Sequence, residues 1–135
     1  MLFGIKKISW CYWDALTCSR YHREIGICTM PTNAMSEICL SSQNQAKLSI
    51  QISEQSRVKM HSADVRFMSE DDLQDSRAKC YLIETVEGSK FIIGGKERPF
   101  ATMTVDYNVA SSPTELSGTS YVISYKSAQP ILSVV

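Results

Sequence analysis

An antiparallel β-sandwich or small barrel with one to three short helices is the fold class this sequence predicts, and three observations carry that expectation. Apolar and polar residues alternate with period two in short segments almost from end to end. Turn-forming residues interrupt those segments at roughly ten-residue intervals, the rhythm of strand joined to strand. Helical periodicity is scarce, so layers of sheet rather than of helix must supply the core.

The elements follow in chain order. Ile8, Trp10 and Tyr12 share one face of a first strand, which places Trp13 on the other. Asp14 to Arg20 is a candidate short helix, Ile25 and Ile27 alternate again, and Asn33 to Leu40 is a second short helix candidate. The clearest strand is Lys47-Leu48-Ser49-Ile50-Gln51-Ile52-Ser53, aliphatic at every second position. After a strand around Val65 to Met68, Ser69-Glu70-Asp71-Asp72 has the spacing of an N-capping box and predicts a helical turn.

The strongest hairpin joins Cys80–Val86 to Phe91–Ile93, with Gly88-Ser89 read as a two-residue turn. Gly94-Gly95 ends the second strand, and Pro99 keeps 94–99 a loop or an edge kink, because proline has no N–H to give a ladder. Met103, Val105, Tyr107 and Val109 form the next strand. A polar loop over 110–118 leads to Tyr121, Ile123 and Tyr125 in another.

At 135 residues with no repeat, low-complexity tract or linker, the chain is expected to be one β-rich domain over 1–135. A chain of this size buries about two-thirds of its surface on folding, so a core needs neither disulfides nor metal. Fourteen basic and fourteen acidic residues cancel, which gives no electrostatic footprint for nucleic acid or for an anionic membrane; neither is assigned as a partner. Residues 1–68 hold eight basic and five acidic groups and 69–135 six and nine, an asymmetry that solvated faces of a single fold explain as well as a head-to-tail assembly does.

No run of apolar residues is long enough to span a bilayer as a helix, and Met1-Leu2-Phe3-Gly4-Ile5-Lys6-Lys7 reverses the charged-then-apolar order of a secretory signal. A cytoplasmic location is the expectation. Five cysteines without a Cys-x-x-Cys pair read as reduced packing residues.

Catalytic chemistry is not assigned. His61-Ser62-Ala63-Asp64 contains a base, a hydroxyl and a carboxylate, but on a strand they alternate faces, and a surface histidine is the simpler reading. Cys18-x3-His22 with Cys28 and Cys39 offers zinc donors in one close pair where structural zinc takes two, so no metal is assigned. Glu70-Asp71-Asp72-x-x-Asp75 lacks the glycine and closing glutamate of a calcium loop. Gly94-Gly95-Lys96-Glu97 fails as a phosphate loop, since Lys90 stands where the first glycine belongs and Glu97 replaces the metal-binding hydroxyl. No cofactor is implied.

The stretch Phe91-Ile92-Ile93-Gly94-Gly95-Lys96-Glu97-Arg98-Pro99-Phe100, the polar strand and Ser/Pro loop after it, and Tyr121-Val122-Ile123-Ser124-Tyr125-Lys126-Ser127 resemble the end of small β-rich proteins of prophage and mobile-element clusters. The resemblance covers the last third of the chain. It implies a non-enzymatic tail or head–tail completion component of a virion, acting through protein–protein contacts, by self-association or with another assembly component.

The contact residues on this reading are Trp13, if it is not buried under the segment after it, and Ile131, Leu132 and Val134 of an apolar tail. That tail either adds a strand to a neighbouring subunit or completes its own sheet. The alternative function is a small-ligand or carbohydrate-binding sandwich that uses Trp13 and loop tyrosines.

Overall fold

The computed structural model describes residues 2–18, 20–22, 24–38, 40, 46–69, 77–95, 100–106 and 119–134. Among the described residues, eleven strands make the architecture: β1 (Leu2–Tyr12), β2 (Tyr21–His22), β3 (Ile27–Cys28), β4 (Ser36–Ile38), β5 (Lys47–Gln55), β6 (Val58–Ser69), β7 (Lys79–Thr85), β8 (Lys90–Ile93), β9 (Thr102–Asp106), β10 (Thr119–Ser127) and β11 (Leu132–Val134). Their order is β2-β3-β11-β8-β7-β1-β5-β6-β10-β9, with β4 also paired to β1. The fold is mainly β, as the alternation predicts.

Strand β1 turns this one sheet into two layers. Its first residues, Leu2 to Gly4, pair with Ser49 to Lys47 of β5, whereas Ile5 to Tyr12 pair with Thr85 to Lys79 of β7. The register shifts between Ile5 and Lys7, so Lys6 is an extra residue that bends the strand. The same bulge explains how Ile5 and Ile8, three residues apart, enter one core: a regular strand would send them to opposite faces. In the layer of β5, β6, β10 and β9, Leu48, Val65, Phe67, Tyr121, Ile123 and Tyr125 face Ile5, Ile8, Tyr81, Ile83 and Ile93 of the other layer. Phe67 and Tyr121 stack at 5.6 Å between ring centroids.

The second layer is buried on both sides. Its outer face carries a separate core of Cys11, Leu16, Cys28, Cys80, Leu82, Ile92 and Leu132. Covering it is the segment from Trp13 to Met35, folded back on itself by Thr32 N–H to Thr17 O at 2.8 Å and Thr29 N–H to Arg20 O at 3.0 Å. This double burial is why Cys80 to Ile83 is an unbroken apolar run.

Several expectations are corrected. Asn33 to Leu40 contains β4, not a helix: Ile38 lies opposite Ile8 and Ser36 opposite Trp10, and burial of Ile38 beside β1 outweighs local helix propensity. Of the helix expected over Asp14–Arg20, only a 3-10 turn at Trp13–Ala15 forms, because Leu16 leaves it in extended backbone and drops into the outer core. The β7–β8 hairpin closes on a three-residue loop. Gly88 N–H bonds Thr85 O at 3.0 Å and Thr85 N–H bonds Ser89 O at 2.8 Å, with Gly88 at φ +97° where a bulge residue needs it. One pair is parallel, β3 with β11. The capping-box helix after Ser69, the 110–118 loop, Tyr107, Val109 and most of the 94–99 loop lie outside the described residues.

The tail completes its own sheet. Leu132 and Ser133 pair with Ile92 and Phe91, Ser133 and Val134 with Ile27 and Cys28, and Leu132 is 3% exposed. Gly26 locks it: at φ +71° it accepts Ser133 N–H at 2.7 Å, and any Cβ there would lie 2.7 Å from Pro130 Cβ and 2.9 Å from Ile131 O. The two charge-biased halves interleave, since β1 pairs β7 and β6 pairs β10, as expected of solvated faces in one fold.

Candidate functional site

Two features stand out from the packed layers, a projecting hairpin and a cavity over the outer face of the second layer. The hairpin is β5–β6. Strand β10 supports β6 only as far as the pair Ser127–His61, and β1 supports β5 only from Lys47 to Ser49. The paired residues Ser53–Met60 to Gln55–Val58 and the turn beyond them therefore overhang the sandwich, by about 10 Å at the usual strand rise, with Ile52 at the root of the arm opposite His61.

The apolar alternation of β5 ends at Ile52, since Glu54 and Lys59 follow on its face. Ile52, in phase with core residues Leu48 and Ile50, is left 64% exposed, and Val58 on the opposite face is 49% exposed. Ser56 and Arg57 close the arm at φ +51° and +69°, a two-residue turn of the left-handed type that suits the strand twist but lacks the usual glycine or asparagine. That absence hid the hairpin from the sequence, although the alternation of Lys47 to Ser53 was plain.

The cavity, of about 320 Å³, lies between Lys7, Ser9, Leu82, Glu84 and Lys90 of the sheet and Met30, Pro31, Asn33 and Met35 of the covering segment. Glu84 sits opposite Lys7 on one side and Lys90 on the other, so charges alternate across β1, β7 and β8. Lys7 also reaches Glu37 at 3.9 Å, an exposed and weak pair.

Two residues further along the strands from Ser9–Leu82, which line the cavity, and on the same face, Cys11 stands directly opposite Cys80. A hydrogen bond from the Cys80 thiol is the largest influence on Cys11. Burial opposes it, an Asn33 hydrogen bond adds to it, Asp14 opposes it again, and the result brings the Cys11 thiol down to about 7. Asn33 is itself held in place, its Oδ1 accepting Thr17 N–H at 3.0 Å. Cys28, in the same outer core, behaves oppositely: burial first, then neighbouring Cys18, pushes its thiol up to about 12. Sequence reading missed this pairing because Cys11 and Cys80 are far apart in the chain and only the β1–β7 register joins them.

The residues singled out in the sequence fall in different places. Trp13 opens the 3-10 turn and is 38% exposed, its ring 5.6 Å from that of Phe100, so the segment that follows does not bury it. Beside it, Arg77 lies over the Tyr12 ring at 4.0 Å and holds Asp14 through Nη2 at 3.1 and 3.2 Å. Leu132 is in the outer core, Val134 packs against that core and Ile131 against the inner one, so all three tail candidates are engaged within the domain. His22 lies on β2 and His61 on β6, in different layers. Asp64 faces away from His61's side of β6, as alternation requires. Among the described residues no group of three or more His, Cys, Asp or Glu side chains is placed to hold a metal ion, and no helix is long and apolar enough to cross a membrane.

Fold and features together define a mainly β domain with a projecting hairpin and a dithiol beneath a covering segment. Comparison with protein-family models, curated proteins and solved structures finds no match to this chain.

Proposed function

We propose that this protein is a non-enzymatic assembly subunit that contacts neighbouring copies of itself through the β5–β6 arm, in the manner of a virion tail or head–tail component. The observation that supports the reading is the pair of exposed apolar side chains on the hairpin, Ile52 at the root of the arm and Val58 near its tip, one on each face. Neither side chain is buried within the domain. A neighbouring surface that covered one face would gain the transfer free energy of the side chain on it, about 1.5–3 kcal/mol on full burial. Beyond Ser49 the outer edge of β5 has no strand pairing among the described residues, so backbone pairing can add register to the contact. The tail, being engaged at home, is not the contact element.

The test is Ile52→Glu. Mass in solution by light scattering over a hundredfold concentration range is expected to show an oligomer for the natural chain and a smaller species for the variant, with the thermal midpoint unchanged because Ile52 lies outside the core. An oligomer of unchanged mass in the variant removes the arm from the interface, and a natural chain that stays monomeric at every concentration removes self-assembly.

A further inference from the structure

We propose that Cys11 and Cys80 are a reversible disulfide site, oxidised by small hydroperoxides that enter through the cavity above the second layer. Directly opposed residues of antiparallel strands hold their Cα atoms about 4.5–5.5 Å apart, inside the range of about 4.4–6.8 Å that a disulfide spans. The pair is a hydrogen-bonded one, in phase with Trp13 N–H to Ala78 O, so its Cβ atoms start about 5.5 Å apart where a disulfide holds them at about 3.5–4.5 Å, and bonding needs rotation of both side chains with a local approach of β1 and β7.

Access comes from the neighbouring rung, where Ser9 and Leu82 line the cavity, and from Asn33, which lines it as well as bonding Cys11. Cys11 itself is 4% exposed, so the reagent must be small. The electrostatics select between the sulfurs. At neutral pH Cys11 has a substantial thiolate fraction, whereas Cys28 stays protonated although it lies in the same core beside Cys18.

The chemistry balances in two steps. The Cys11 thiolate attacks one peroxide oxygen; an S–O bond forms, the O–O bond breaks, and the other oxygen leaves as hydroxide or alkoxide and is protonated. Cys80 then attacks the Cys11 sulfur; the S–S bond forms, and the oxygen leaves as water with the Cys80 proton. Two sulfurs are oxidised by two electrons in all and the peroxide is reduced. Two equivalents of a small thiol reverse the reaction by exchange.

The experiment treats the full-length protein with one equivalent of hydrogen peroxide near neutral pH, alkylates what remains and maps the peptides. Alkylatable cysteines are expected to fall from five to three, with a cross-linked pair containing Cys11 and Cys80 that a reducing agent separates. Five reactive cysteines after treatment overturn the proposal, as does a link between Cys18 and Cys28 or one involving Cys39. Cys80→Ala gives a second reading: without a resolving thiol, Cys11 sulfenic acid should accumulate and take up a cyclic 1,3-diketone, and a folded variant unlabelled at Cys11 also refutes the site. Should that variant not fold, the mapping of the natural chain decides alone.

Discussion

Replacing Leu132 by alanine separates the two roles open to the C-terminal segment. The side chain is 3% exposed in the outer core with Ile92, Leu82 and Cys28, and β11 lies between β8 and β3 rather than at an edge. Truncation removes three carbons of buried side chain and leaves a space that strands paired on both sides cannot collapse to fill. Buried leucine-to-alanine changes cost about 2–5 kcal/mol, and rigid surroundings place this one in the upper half of that range. Against a total stability of about 5–15 kcal/mol for a domain, that is a large fraction. At about 4 °C per kcal/mol for a chain this long, the midpoint should fall by roughly 14–20 °C. Urea unfolding followed by circular dichroism measures the loss, and light scattering on the same samples measures the mass. A loss below about 1 kcal/mol accompanied by a smaller oligomer would refute the reasoning, because it would mean that Leu132 is buried by a neighbour and not by its own sheet.

Two further outcomes follow from the backbone and the thiols. Arg57→Gly should stabilise the chain by about 0.5–1 kcal/mol in urea unfolding, since the left-handed conformation costs a side-chain-bearing residue about 1–2 kcal/mol and glycine's extra freedom in the unfolded chain returns part of the gain; a lower urea midpoint would show that the arginine side chain supports the turn. Cys28 makes stability fall at high pH: its folded pKa is raised from 9.0 to about 12, so its contribution is complete below 9, lost as pH rises through 12, and at most about 4 kcal/mol. Cys28→Ala should flatten that decline relative to the natural chain in denaturant titrations, and parallel declines in both proteins would contradict the assignment.

How far the fold was legible depended on whether a residue's environment was set locally. Lys47 to Ser53 and Tyr121 to Tyr125 announced strands because each buries one face against a single core, and period two follows directly. The segment between Trp13 and Leu40 misled because it buries isolated residues. Leu16, Cys28 and Ile38 go to zero or near-zero exposure among exposed neighbours, so no period survives to show strand or helix. Ile5 and Ile8 lie out of phase for a strand, and only the bulge at Lys6 reconciles them. The arm was half visible, through Ile50 and Ile52, but its turn residues carried no signal. Of the dithiol, the sequence showed two cysteines and nothing of their register.

That second buried face has a consequence for how the chain responds to its surroundings. A sandwich closed by one core would leave Ser9, Cys11, Cys80 and Leu82 facing water, where thiols in neighbouring register oxidise without discrimination. Here the covering segment lies over them with a cavity beside Asn33, and Asn33 is fastened within that segment by Thr17. The same asparagine lowers the Cys11 pKa, so access and reactivity depend on one docked element. Loosening it removes both the cover and one of the hydrogen bonds that favour the thiolate. The arm, by contrast, belongs to the other layer: among the described residues β5 pairs with the dithiol strand at Leu2 to Gly4, before the bend, and the layers otherwise meet through the inner core. Oxidation and assembly are therefore expected to be separable, with oxidised protein keeping the oligomer mass of the reduced form. A change in mass on forming the Cys11–Cys80 bond would show instead that the bulge at Lys6 transmits strain from one layer to the other.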